Sequence, residues 1–347
     1  MSFFTNFFHT DKKKESAVLI DVGVESVAGA YAYYEEGKEP EVLYTRRLPV
    51  EGHAGESREK AMLRALTILG DTLIREGSPV LARATGSGSA GSILVSVDAP
   101  WQKTMVRTEA VEEEDAFVFT KELVRETLEK TNITIPGKLL VDESIIGTIL
   151  NGYETRDPYG KRVHRASIVI LTSFVDEEVA TDIATTLRGV FHSDRVLPIA
   201  GGSLRSQAVH CAFPHERNAL ILDATGPHTT IALVRKGLFV AILEGPKVAT
   251  VKAWQEHVVD SLADLGRRYP LPRTIFLLAR DTEVARLRTK LETADMDELW
   301  LSDNPPKVVS VLASHVAGLV RQVTTAAPDL PLLLMALFWS RTLEDKR

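Results

Sequence analysis

Two short apolar runs in this chain end on an aspartate that enters a glycine-bearing turn, and those turns are where the sequence could do chemistry. Val18-Leu19-Ile20 meets Asp21 and then Gly23, while Leu220-Ile221-Leu222 meets Asp223 and then Gly226-Pro227. Facing each other across a cleft, two such turns can hold a triphosphate. Backbone N–H groups cradle the phosphate oxygens, and the two carboxylates position magnesium and its waters. Other patterns have the right letters in the wrong context. Gly86-x-Gly88-x-x-Gly91 spells the dinucleotide fingerprint, but a helical pattern precedes it and a strand pattern follows. A pyrophosphate seated on a helix N-terminus needs the reverse order. His210, Cys211 and His215 carry ligand side chains, yet Pro214 interrupts their spacing and no second pair lies nearby, so a helix end is expected there. The acidic run Glu112 to Asp115 reads as a solvated stretch before a helix, where negative charge favours the N-terminus. No residue stands out as a catalytic base, and no metal site is expected.

The elements that must position the two aspartates form a repeat. From Ala17 to Pro49 the pattern reads strand, turn, strand, turn, strand, and Ala219 to Lys247 follows the same plan. A long helical pattern follows each copy, Ser57 to Glu76 and Val248 to Arg268. Each half then continues as strand and helix, through Ser167 to Val190 and Thr274 to Leu291. Two βββαβα units imply an α/β fold of two similar lobes with a cleft between them. A Gly/Ser/Ala stretch, Ala82 to Ser92, reads as a linker into an inserted module. Its parts are a strand at Ile93 to Val97, a helix at about Asp115 to Lys130, and two strands around Asp157-Pro158-Tyr159-Gly160. The expected boundaries are an amphipathic tail at 1–15, lobe I at 16–91 plus 167–212, the insert at 92–166, and lobe II at 213–347.

Three stretches carry a family resemblance over roughly Ala17 to the C-terminus. Leu94-Val95-Ser96-Val97-Asp98-Ala99-Pro100-Trp101 is similar to the start of a strand–helix–strand–strand insert. Asp157-Pro158-Tyr159-Gly160 resembles its Asp-Pro-x-Gly hairpin, and Leu222 to Thr230 resembles a second phosphate loop. Together with the order of elements they resemble the superfamily of actin, heat-shock chaperones and sugar kinases. The closer resemblance is to its bacterial branch containing the division protein FtsA and the type IV pilus protein PilM. The resemblance implies a two-lobed actin-like fold with the insert in lobe I. It also implies an ATP site at Asp21, Gly23, Ser26, Asp223, Thr225, Gly226, Thr229 and Thr230, with ATP and magnesium as cofactors if that site works.

Departures from the family pattern touch every part of that site. Val24 and Glu25 replace small hydroxyl residues, and Glu25 puts negative charge near the phosphate position unless a cation offsets it. Pro227 has no N–H to donate. Ala279-Arg280-Asp281 stands where the adenosine strand usually ends in a glycine pair, and Tyr269-Pro270-Leu271-Pro272 replaces a whole subdomain. The expectation is a site degenerate enough to hold no nucleotide. The resemblance then implies a non-catalytic cytoplasmic scaffold that docks the tail of an inner-membrane protein in pilus or secretion-type machinery, with self-association open. The alternatives are an ATP-binding division protein like FtsA, though FtsA uses the missing region to hold its partner, or a weak ATPase of the same fold.

Composition narrows the field further. The 347 residues are 44% hydrophobic and 25% charged, a globular balance, and the net charge of -6 argues against a nucleic-acid partner. Cys211 is the only cysteine, so no internal disulfide forms and a reducing compartment is expected. Phe3, Phe4, Phe7 and Phe8 share one helix face ahead of Lys12 to Lys14, a pattern suited to peripheral contact with an anionic membrane. Deleting residues 2–11 should therefore release the protein from anionic liposomes in a co-sedimentation assay while leaving its melting temperature unchanged. An equal loss of stability would instead mean that the phenylalanines pack on the core.

Overall fold

The first strand dictates the layering. In β1 (Lys14–Val22) every residue from Ala17 onward is buried. Alternate side chains enter different cores, Ala17 and Leu19 on one face and Val18, Ile20 and Val22 on the other. A strand buried on both faces needs a covering layer on each side. The computed structural model describes residues 14–344 apart from 132, 156, 247, 249, 301–304 and the side chains of residues 297 and 344, so the four N-terminal phenylalanines lie outside the described residues.

In chain order, lobe I opens with β1, β2 (Ser26–Glu35) and β3 (Glu41–Pro49). Helix α1 (Arg58–Thr72), whose N-cap Ser57 accepts from the Lys60 N–H, runs through a π turn at Leu73–Gly77 into α2 (Ser78–Thr85) and then β4 (Ser92–Val97). The insert comprises β5 (Gln102–Val118), α3 (Lys121–Lys130), β6 (Lys138–Leu150), the two-residue β7 (Tyr153–Glu154) and β8 (Arg162–Asp176). Lobe I resumes with α4 (Glu177–Phe191), β9 (Val196–Ala200) and α5 (Gly201–Ala212). Lobe II holds β10 (Ala219–Ala224), β11 (Thr230–Arg235), β12 (Leu238–Glu244), α6 (Val251–Gly266), β13 (Thr274–Ala279), α7 (Asp281–Glu292) and β14 (Lys307–Ser310). Then follow α8 (Ala313–Val316), β15 (Arg321–Gln322) and α9 (Leu330–Glu344).

The lobe sheets have orders β15-β3-β2-β1-β4-β9 and β12-β11-β10-β13-β14, so five strands repeat in the same arrangement. In each, the first three strands form an antiparallel meander and the later ones add in parallel. Asp21 and Asp223 occupy matching places, each next to last in its strand. The sheets are separate, and one hydrophobic core joins them, containing Leu19 and Ala30 from lobe I, Ile221 and Ala232 from lobe II, and α5 and α9. The insert forms its own antiparallel sheet, β5-β8-β6-β7, with a small core beneath α3.

Several boundaries differ from the sequence reading. Residues Ser92–Val97 are all buried and pair in parallel with β1 and β9, so they belong to the first sheet and β5 opens the insert instead. Ser167 to Leu171 lies within the long strand β8 of the insert sheet, and the lobe I strand expected there is β9. The helix begins at Lys121, where Thr120 caps it, while Glu112 to Asp115 sits in β5 at a register shift. The stretch read as a linker is helical to Thr85, and its loop is tied down by Ser78 Oγ donating to the Gly88 carbonyl at 2.6 Å. Finally, 321–344 returns to lobe I. Strand β15 pairs with β3, and α9 packs on β1, β2, β3 and α5. The apolar run Leu332 to Leu337 explains this return, because it is buried in the core shared by both lobes.

Trp339 is fully buried in that core. Trp339→Ala should cost about 3–5 kcal/mol in urea denaturation. A loss below about 1 kcal/mol would mean that α9 adds little to the joint core.

Candidate functional site

Strand ends and helix starts from both lobes converge on one cleft, of about 240 Å³. The two aspartates are held at the ends of central strands, where register places Asp21 beside Ala28 and Ser96, and Asp223 beside Thr230 and Leu278. Both are nearly fully buried. A third carboxylate, Asp98, follows β4, its backbone N–H donating to the Val22 carbonyl at 2.9 Å.

Arg205 lies among these three. It projects from α5, is only 4% exposed, and its Nε meets Asp223 Oδ2 at 2.5 Å. One terminal nitrogen meets Asp98 Oδ1 at 2.7 Å and the other lies 3.5 Å from Asp21 Oδ1. Burial alone would lower the guanidinium's pKa, but the carboxylates of Asp223, Asp98 and Asp21 more than offset that and raise it. Close backbone approach makes the arrangement possible. A Cβ on Gly201 would collide with Asp98 Oδ1, and one on Gly202 would stand 2.8 Å from Thr230 Oγ1 of the other lobe. Gly202 also donates its N–H to Gln102 Oε1 at 3.0 Å.

A second arginine completes the cluster. Arg47 of β3 donates to Asp21 Oδ2 at 2.9 Å, to Ser26 Oγ at 2.8 Å and to both oxygens of Asp329 at 2.7 and 2.9 Å. Asp329 in turn accepts from the Leu332 N–H in the first turn of α9. At the mouth, Arg280 reaches across to Glu25 at 3.2 Å, so the two unusual residues noted in the sequence offset each other. The lining still carries an excess of acid: Asp21, Glu25, Asp98, Asp281 and Asp329 against Arg47, Arg205 and Arg280.

Of the residues expected at the site, Asp21, Gly23, Ser26, Thr225, Gly226 and Thr230 line the cleft, and Asp223 joins them through Arg205. The donors of Thr225 and Gly23 are directed inward. Thr225 gives both its N–H and its hydroxyl to Asp223 Oδ1, at 3.1 and 2.6 Å, and the Gly23 N–H closes a turn onto the Ser26 carbonyl at 3.0 Å. Thr229 is buried away from the cleft, its hydroxyl accepting from Trp254 Nε1 of α6 at 2.9 Å. The sequence reading missed Arg47, Asp98, Arg205 and Asp329. One signal was available, because Arg205 is the only Asp, Glu, Lys or Arg in the α5 sequence GGSLRSQAVHCA. Between α6 and β13 the chain passes directly through 267–273 with no further element.

No family profile and no curated protein sequence matches the chain. Among solved structures, the fold is similar to that in a PilM–PilN type IV pilus biogenesis complex, with 14% identity, 95% of this chain and 98% of the other covered, and a TM-score of 0.55. It also matches a Bacteroides thetaiotaomicron protein described as having an actin-like ATPase fold and unknown function, with 9% identity, coverage of 95% and 99%, and a TM-score of 0.46. The chain has the two-lobed actin-like fold expected from the sequence, and the likeness to PilM is one of fold. Among the described residues, no helix is long and apolar enough to cross a membrane.

Asp98 sets a pH dependence. Burial pushes its carboxyl from the ordinary 3.8 up to about 7, against the pull of Arg205 and aided by Asp21 and Asp223. Glu244, at the end of β12, is likewise pushed up to about 7 by burial, although it accepts from the Thr104 N–H of the insert. With the folded pKa above the unfolded one, the protonated acid favours the folded state. Its contribution is complete below about pH 4 and is lost as pH rises through about 7. The melting temperature of the wild type relative to Asp98→Asn should therefore fall between those limits and level off above them. A difference that stays flat with pH would mean that Asp98 is ionised throughout.

Proposed function

We propose that this chain is a non-catalytic actin-like scaffold that binds no nucleotide. In this reading it docks the tail of an inner-membrane protein within pilus or secretion-type machinery at the cytoplasmic face. The observation that carries the first part is Arg205, whose guanidinium stands among the carboxylates that would have to hold magnesium. The fit to a magnesium triphosphate is poor on every count. Asp21 and Asp223 are committed to arginines, the Thr225 donors turn inward onto Asp223, and Pro227 offers no N–H. The acid excess of the lining adds repulsion for a polyanion. Phosphoryl transfer depends on positioning and on stabilising charge at the γ-phosphate, and loss of one well-placed donor costs about a hundredfold or more. The docking role is supported by the likeness in fold, end to end, to PilM in its complex with PilN.

Calorimetry with Mg-ATP should detect no binding tighter than millimolar, and a phosphate-release assay should read background for the wild type, Asp21→Ala and Asp223→Ala alike. Micromolar binding lost in both variants would overturn the nucleotide-free reading. Release lost in either variant would overturn the non-enzyme reading. For the docking role, a membrane protein retained on the immobilised chain should be displaced by a synthetic peptide of its own cytoplasmic tail. Retention that no tail peptide competes away would count against it.

A further inference from the structure

The structure assigns to Arg205 a positive task, namely closing the cleft by acting as an internal cation that holds the two lobes together. The inference rests on the nucleotide-free reading and extends it. Asp21 and Asp98 come from lobe I and Asp223 from lobe II, and their carboxylates point at one buried place. Left without a cation they would repel one another and separate the lobes. Arg205 fills that place with a planar fork whose three nitrogens each face a different carboxylate, a geometry that a lysine ammonium cannot reproduce. The backbone is shaped for it, since Gly201 lets Asp98 approach and Gly202 lets Thr230 of lobe II pack directly on α5. One further bridge acts in the same sense, because Arg280 of lobe II holds Glu25 of lobe I at the mouth. In this chain the closed arrangement therefore comes from side chains, with no need of a bound ligand.

The test is chemical rescue. Arg205→Ala should melt about 5 °C or more below the wild type and show a larger radius of gyration in solution scattering. Millimolar ethylguanidinium should restore both in the variant and leave the wild type unmoved, while tetramethylammonium restores neither. Unchanged scattering in Arg205→Ala, or equal rescue by both cations, would overturn the proposal. If Arg205→Ala does not fold, the neutral variant Arg205→Met/Asp98→Asn/Asp223→Asn should fold with a looser cleft, because the uncompensated charges are gone. Failure of that variant too would mean that Arg205 acts through packing, which overturns the proposal. These outcomes are independent of the nucleotide reading, which fails only if the wild type binds Mg-ATP.

Discussion

A guanidinium buried among three carboxylates is the constraint around which the rest of this molecule is arranged. An unpaired charge at that depth would be prohibitive, and removing one partner from such a cluster typically costs about 3–5 kcal/mol. Arg205 therefore requires that β1, β4 and β10 end within reach of one point on α5. Each of those strands meets the requirement by placing its aspartate at or just beyond its C-terminal end. Burial, aided by the nearby Asp21 and Asp223, raises the pKa of Asp98 against the pull of Arg205. The cluster is thus balanced with one carboxyl near neutrality, which ties its charge state to pH.

The departures from the phosphate-loop pattern that the sequence resembles pair off as matched changes. Glu25 in the first turn is offset by Arg280 in the lobe II turn, so a charge that would repel a phosphate instead bridges the mouth. Ser26 and Thr225 keep hydroxyls, but one serves Arg47 and the other serves Asp223. Both hydroxyls thus have internal partners. That is the expected state of buried polar groups when no ligand satisfies them.

The insert and the C-terminal helix are tied to the same centre. Gln102 at the start of β5 accepts from the Gly202 N–H, and Thr104 two residues on donates its N–H to Glu244 of lobe II. Asp329 links Arg47 to the first turn of α9. Both lobes and the insert thus share these polar contacts, and all three contribute to one apolar core.

The sequence by itself determined the repeat, because apolar runs ending at Asp21 and Asp223 followed by two hairpins are local patterns. The same is true of α1, with its Ser57 cap and apolar spacing. It also showed which loop donors were missing, since Val24 and Pro227 lack them in any fold. What only the tertiary structure decided was where distant residues meet. Arg47 and Asp329 are separated by 282 positions, and Arg205 and Asp98 by 107. No periodicity encodes such pairings, because a salt bridge leaves no local trace beyond one charged residue in an otherwise uncharged helix. Strand order escaped the sequence for the same reason. Ser92–Val97 looks alike whether it opens an insert or fills a central sheet, and only pairing with β1 and β9 decides which.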